Sequence, residues 1–223
     1  MSTPEDFEGN PEAYLRFRVT EEQALLLHAN EFRIGEQYYS NDRDDVASFA
    51  RPEIELRIGN LKRVVRVLEI GGGQGKTVLR LIKDLPPGAP VEYSMTTLNP
   101  LPEHTALLEK GMQLFIPIAA EYLLAQWTAY FDVVITQCML GWTKMDLSIP
   151  EIKRVLIPGG VWTGFETADA RLLHANTLVG EAAQQWMLQN NMVNEMGWEA
   201  IYRYRKREEY YPLKWTKPMT VTE

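Results

Sequence analysis

The run Val64-Val65-Arg66-Val67-Leu68-Glu69-Ile70-Gly71-Gly72-Gly73-Gln74-Gly75-Lys76-Thr77 limits the possible folds more than any other stretch of the chain. An aliphatic, β-branched segment ends in an acid, and four glycines follow within five positions. Val78, Leu79, Leu81, Ile82 and Leu85 then recur at helical spacing. The pattern predicts a buried strand, a tight glycine turn and a helix entered at that turn. Glycine admits left-handed backbone and lets a ligand approach with no Cβ in the way. The helix start behind the turn supplies N–H groups that lack helical partners. In an open α/β sheet, a turn at the carboxyl end of a strand is where ligands bind.

Two nucleotide patterns come close to this turn and fail. The dinucleotide fingerprint G-x-G-x-x-G would need glycine at position 76, which is Lys76. The phosphate loop G-x-x-x-x-G-K-S/T matches at Gly75-Lys76-Thr77, but its first glycine falls on Ile70. The spacing that remains is E-x-G-x-G-x-G, from Glu69 to Gly75.

Elsewhere the chain alternates strand and helix patterns. Val91–Leu98, Met112–Ile116, Phe131–Thr136 and Val161–Phe165 read as further strands. Helices are expected over 78–85, 102–110, 119–127, 148–156 (with Pro150 near its start) and 172–196. Two segments near the C-terminus, 199–204 and 210–216, flank the charged turn 205–209 and read as an antiparallel pair. Pro212 conflicts with an internal position for the last strand, because proline offers no ladder N–H. The alternation predicts a Rossmann-like, doubly wound α/β fold, with a mostly parallel seven-stranded sheet ending in that antiparallel pair. Residues 1–62 read as a helical extension or lid, with Pro52 opening its last helix, and 63–223 as the α/β domain.

A net charge of −7 argues against a broad nucleic-acid surface. The single cysteine, Cys138, excludes an intramolecular disulfide and a cysteine-based zinc site, and no metal is expected. No apolar run reaches the ~18 residues of a membrane helix. The N-terminal residues are polar and acidic, unlike a secretory signal, so a cytoplasmic protein is expected.

Three motifs in order resemble those of class I S-adenosylmethionine (SAM) dependent methyltransferases, over residues 64–166. Val67 to Gly75 resembles the glycine motif of that family, and Phe131-Asp132-Val133-Val134-Ile135-Thr136 its fourth-strand motif. Arg154-Val155-Leu156-Ile157-Pro158-Gly159-Gly160 resembles its R-x-L-x-P-G-G segment. Small-molecule and polyketide-type carbon methyltransferases are the most similar. The resemblance implies SAM as cofactor and methyl transfer to a small-molecule acceptor, and it admits a homodimer. A SAM-assisted cyclase or isomerase and a non-catalytic binding module are the alternatives. Aminopropyltransferases share a G-G-G-x-G turn but need acids after strand four, where Thr136-Gln137-Cys138 has none.

The resemblance also assigns roles. Glu69 orders the turn and the amino-acid end of the cofactor, and Gly71, Gly72, Gly73 and Gly75 give it room. Thr97, Leu98 and Asn99 meet the ribose, with Thr97 where the family carries an acid. Ala120 and Glu121 lie near adenine, Ala119 standing where a second acid is usual. Gln137 and Cys138 border the methyl donor. On the acceptor side stand Tyr38, Tyr39 and Trp142, with Glu166 and His174 as the candidate catalytic groups. His174 is preferred over His28 and His104 because it follows strand five, where substrate loops gather. Cys138 has no histidine partner in sequence that would make it a nucleophile.

Overall fold

The computed structural model describes residues 43–97, 104–115, 118–167, 179–198, 201–203 and 208–219. Helix α1 is Arg43–Asn60, β1 Val65–Ile70, α2 Lys76–Asp84, β2 Val91–Thr96, α3 His104–Glu109 and β3 Gln113–Phe115. Then come β4 Phe131–Gln137, α4 Met145–Val155, β5 Leu156–Thr167, α5 Val179–Gln189, β6 Ile201–Arg203 and β7 Glu208–Thr216. They form one sheet in the order β3-β2-β1-β4-β5-β7-β6. β1 to β5 pair in parallel, while β7 runs antiparallel to both β5 and β6. This is the doubly wound, mostly parallel sheet with an antiparallel C-terminal pair that the alternation predicts.

Side chains alternate across the pleat, and each face is buried under helices. Val65, Val67, Val133 and Ile135 share one apolar cluster with α1 and α2. Leu68, Ile70, Val134 and Trp162 share the other with α4 and α5. A register shift between Phe131 and Val133 lets Phe131 join the same cluster as Val134.

The expected division at residue 62 separates α1 from β1, two elements that share one core. Val46, Ala47, Ala50 and Ile54 of α1 are buried with β-strand residues, and Phe49 meets Phe165 edge-on at 4.6 Å. Glu53 adds polar links from α1, pairing with Arg57 at 3.1 Å and with Lys214 of β7 at 2.6 Å. Burial opposes the charge of Glu53, but Lys214 and Arg57 outweigh it and hold the carboxyl below its ordinary range. Residues 1–42 of the expected extension lie outside the described residues.

Several element boundaries differ from the sequence reading. Pro52 lies inside α1 and Pro150 inside α4, neither at a helix start. Each helix loses one ladder bond at its proline. In exchange, buried residues on both sides of each proline stay on one face, Ala50 with Ile54 and Ile149 with Ile152. α5 is shorter than expected, because Asn190–Trp198 turns rather than continuing as helix.

The span 119–127 carries only a 3-10 turn, Ala125–Trp127. Its backbone is satisfied by α4 side chains instead of a helical ladder. Leu123 N–H donates to Glu151 at 3.0 Å, and Arg154 donates to the Leu123 carbonyl at 2.9 Å and to Thr128 Oγ1 at 2.7 Å. Arg154, first residue of the R-x-L-x-P-G-G segment, is therefore a fastener for the β3–β4 connection.

Pro212 sits in mid-strand, opposite Phe165. Its carbonyl points away from β5 and accepts from Asn194 Nδ2 at 2.9 Å. A strand residue presents its N and O on the same side, so the missing N–H falls on that outer flank and the β5 ladder loses nothing. Beyond the short β6, this flank is lined by Asn194 and Glu195. Asn194 Oδ1 accepts from Lys214 N–H at 3.0 Å, and Glu195 N–H donates to the Lys214 carbonyl at 2.8 Å.

At the amino end of β4, away from the glycine turn, Asp132 is fully buried. It accepts two hydrogen bonds from Arg63, at 2.8 and 2.6 Å, and one from Arg66 N–H at 2.8 Å. No helix of the described residues is long and apolar enough to cross a membrane.

Candidate functional site

From β1 the chain steps to β2 on one side and reaches β4 on the other, so the strand order reverses between β1 and β4. The carboxyl ends of these strands open the crevice that a doubly wound sheet uses for ligands. Gly71 to Gly75 follow β1 there, and Gln137 to Leu140 follow β4.

In the glycine turn, Gly71, Gly73 and Gly75 have φ of +68°, +52° and +72°. L-residues enter this region at a cost of ~1–2 kcal/mol each. Thr96 anchors the turn, its carbonyl accepting from Gly72 N–H at 3.1 Å and its hydroxyl from Gly71 N–H at 3.3 Å. Gly75 N–H closes it onto the Gly72 carbonyl at 2.8 Å. The glycines divide by environment. A Cβ on Gly72 would overlap Met95, and one on Gly75 would overlap Leu107, so these two permit packing. Gly71 is exposed and Gly73 half-buried, leaving their backbone open to a ligand. Glu69 is buried with its carboxyl carbon 3.0 Å from where a Gly72 Cβ would stand, tucked under the turn it is expected to order.

The ribose side is partly described. Thr97 is buried and extends the β2–β3 ladder, its N–H donating to the Phe115 carbonyl at 3.2 Å and its carbonyl accepting from Ile118 at 3.1 Å. Leu98 and Asn99 lie outside the described residues. On the adenine side, Ala120 and Glu121 are buried. Glu121 Oε1 accepts from the Lys144 N–H at 2.9 Å, at the start of α4. That bond ties the β3–β4 connection to the segment after β4.

Gln137 ends β4, half-buried, and Cys138 follows it with φ +48°. A non-glycine residue in that region is strained, and such strain gathers at functional sites. Cys138 N–H donates to the Phe165 carbonyl at 2.9 Å, carrying the β4–β5 pairing one residue past the strand.

Glu166, near the end of β5, is fully buried. Its Oε1 accepts from Met139 N–H at 3.0 Å and Leu140 N–H at 3.1 Å, and its Oε2 has no hydrogen-bond partner among the described residues. The carboxyl group thus clamps the backbone that leaves β4. Trp142 closes the 3-10 turn Leu140–Trp142 that begins there. Tyr38, Tyr39 and His174 lie outside the described residues, as does His28.

Burial pushes the Glu166 carboxyl up to about 8 from an ordinary 4.5, against the lowering effect of its backbone hydrogen bonds. Between those two values the folded chain holds a proton that the unfolded chain has released. Stability from this group is therefore complete below about pH 4.5 and is lost as pH rises through about 8. Glu166→Gln should remove that dependence. In urea titrations, the stability of the Gln variant relative to wild type should rise from pH 5 to pH 8 by up to ~1.4 kcal/mol per pH unit and then level off. A difference that stays flat over this range would contradict the assignment.

His104 is the site residue that the sequence reading passed over. It is buried at the start of α3, with Nε2 2.7 Å from the Gly73 carbonyl oxygen. No sequence signal marks it, because the contact joins residues 31 positions apart.

No family model and no curated protein matches the chain. Solved structures match its fold. The 1,6-didemethyltoxoflavin-N1-methyltransferase of Burkholderia thailandensis, with 1,6-didemethyltoxoflavin and S-adenosylhomocysteine bound, aligns at 14% identity and TM-score 0.63, over 98% of this chain and 92% of that one. The carbon methyltransferase domain of the citrinin polyketide synthase aligns at 17% and 0.57, over 76% of this chain and 52% of that one. The (4+2) cyclase SpnF aligns at 18% and 0.56, over 76% and 81%. The fold is thus the Rossmann-like one of class I SAM-dependent methyltransferases, as the three motifs imply.

Proposed function

We propose that this chain binds SAM across the carboxyl ends of β1 and β4 and transfers its methyl group to a small-molecule acceptor. The observation that carries the reading is the glycine turn at the strand-order reversal, with the backbone of Gly71 and Gly73 open to a ligand. The structural relatives that are methyltransferases by name support it. When bound, the sulfonium supplies an electrophilic methyl group, and the protein's share of the work is alignment and exclusion of water.

In this reading the turn from Gly71 to Gly75, with Gly72 packed beneath it and Glu69 as its support, receives the amino-acid end of the cofactor. Thr97, Leu98 and Asn99 face the ribose, Ala120 and Glu121 the adenine, and Gln137 and Cys138 the methyl donor. Thr97 and Asn99 can bond a ribose hydroxyl only without charge. Each missing charged acceptor forgoes ~1.5–3 kcal/mol of hydrogen bonding, so affinity should lie below that of a site with both acids. Tyr38, Tyr39 and Trp142 wall the acceptor. Glu166, sealed from solvent, positions the Met139–Leu140 backbone, and it reaches an acceptor only after that segment moves. His174 is then the candidate for taking a proton from an O–H or N–H acceptor. The reading carries a cytoplasmic location and admits a homodimer.

A second reading, a SAM-assisted cyclase or isomerase or a binding module without turnover, is favoured by Thr97 and Ala119 in place of acids. A cyclase is among the proteins that share the fold. Calorimetric titration with SAM and S-adenosylhomocysteine tests the cofactor assignment common to the catalytic readings. Wild type should bind in the micromolar range. Gly73→Arg, which forces a long side chain onto a φ of +52°, should abolish binding. Absence of binding to wild type at millimolar ligand would reject the assignment, and product formation with any methyl acceptor would reject the binding-module reading.

A further inference from the structure

Helix α3 touches the glycine turn at two points. Leu107 fills the space beside Gly75 that a Cβ would need, and His104 meets the Gly73 carbonyl at 2.7 Å. Both side chains are buried. The α3 helix follows directly on residues 97–103, the connection that leaves β2. Its contacts therefore add to the two bonds that Thr96, at the end of β2, already makes to the turn.

Turn carbonyls turned inward need donors, because a buried, unpaired one costs ~1–3 kcal/mol. The Gly72 carbonyl takes Gly75 N–H within the turn. The Gly73 carbonyl takes an imidazole. The acceptor is a carbonyl, so Nε2 must carry a hydrogen, as it does in the Nε2–H tautomer and in the imidazolium alike. A peptide unit is planar and trans, so fixing the Gly73 oxygen also fixes the direction of the Gln74 N–H on the opposite side.

We infer that His104 is a positioning residue of the ligand site, holding the Gly73–Gln74 peptide in the orientation that receives the cofactor. The role rests on the proposed SAM site, but its geometric half does not. His104 meets the backbone of the turn, so its part is to position that turn rather than to transfer the methyl group.

The experiment uses the full chain as wild type, His104→Ala and His104→Gln, whose side-chain amide keeps an N–H donor. Hydrogen exchange of residues 71–77 is measured without ligand, and S-adenosylhomocysteine affinity is measured by calorimetry. In His104→Ala, exchange in the turn should rise about tenfold, the equivalent of one hydrogen bond, while β4 and β5 stay protected. Affinity should fall about tenfold in the same variant and recover most of the loss in His104→Gln. Wild-type exchange and affinity in His104→Ala would overturn the inference. So would an equal rise of exchange in β4 and β5, which would mean general destabilisation. Wild type that fails to bind S-adenosylhomocysteine would refute the proposed function, and the exchange of the turn would still decide the role of His104.

Discussion

Gly164→Ala should leave little folded protein. Gly164 lies in the middle of β5, between Thr136 of β4 and Leu213 of β7. A Cβ at this position would overlap the Thr136 carbonyl oxygen and come within 2.9 Å of its carbonyl carbon. The obstacle is backbone of a central strand, so no rotamer change relieves it. The two strands must separate where Trp162 Nε1–H also donates to Thr136 Oγ1 at 2.9 Å. We expect a loss of at least ~4 kcal/mol, a large part of the ~5–15 kcal/mol that holds a domain folded. Gly111→Ala is the control. Its φ of +79° makes alanine strained, but nothing lies within 4 Å of the added Cβ, so its loss should be ~1–2 kcal/mol. Urea unfolding followed by circular dichroism compares the two, and similar midpoints would show that β4 and β5 are not so closely apposed.

The second large effect is expected at the other end of the sheet. Arg63→Ala removes the cation facing Asp132, whose carboxylate is fully buried while the guanidinium is partly exposed. The loss is therefore asymmetric. Deleting the arginine strands a buried charge, and ~3 kcal/mol or more should be lost at pH 7. Asp132→Asn removes that charge and keeps an oxygen for the Arg66 N–H, so it should cost less. In the double variant the stranded charge is gone, and its loss should fall well short of the sum of the two singles. Additive losses in urea titrations would show that the pair is not coupled.

The parts of the molecule legible in sequence are those set by local pattern. β1, its glycine turn and α2 follow from an apolar run, a glycine cluster and helical spacing, all within 22 residues. β4 is legible because an unbroken buried run suits a strand covered on both faces. What was not legible depends on partners distant in sequence. The span 119–127 has helical spacing but takes its backbone bonds from Glu151 and Arg154. Pro212 looks unfit for an internal strand until the Asn194 side chain is seen on its outer flank. Glu166 reads as an acid at a substrate loop, and only the fold shows it holding the Met139 and Leu140 N–H groups. The strained backbone at Cys138 and the bond from His104 to the turn leave no trace in residue order.

Asn194 and Glu195 also decide how the sheet ends. A bare strand flank is an invitation to a strand from another molecule, the usual first step of ordered aggregation. Along Pro212 to Lys214 that invitation is withdrawn. Pro212 has no N–H to lend, its carbonyl is engaged by the Asn194 amide, and both backbone groups of Lys214 are already bonded. A newcomer would have to displace these bonds and would gain only equivalents of them. The chain can therefore keep a short, three-residue β6 without leaving a template exposed beside it.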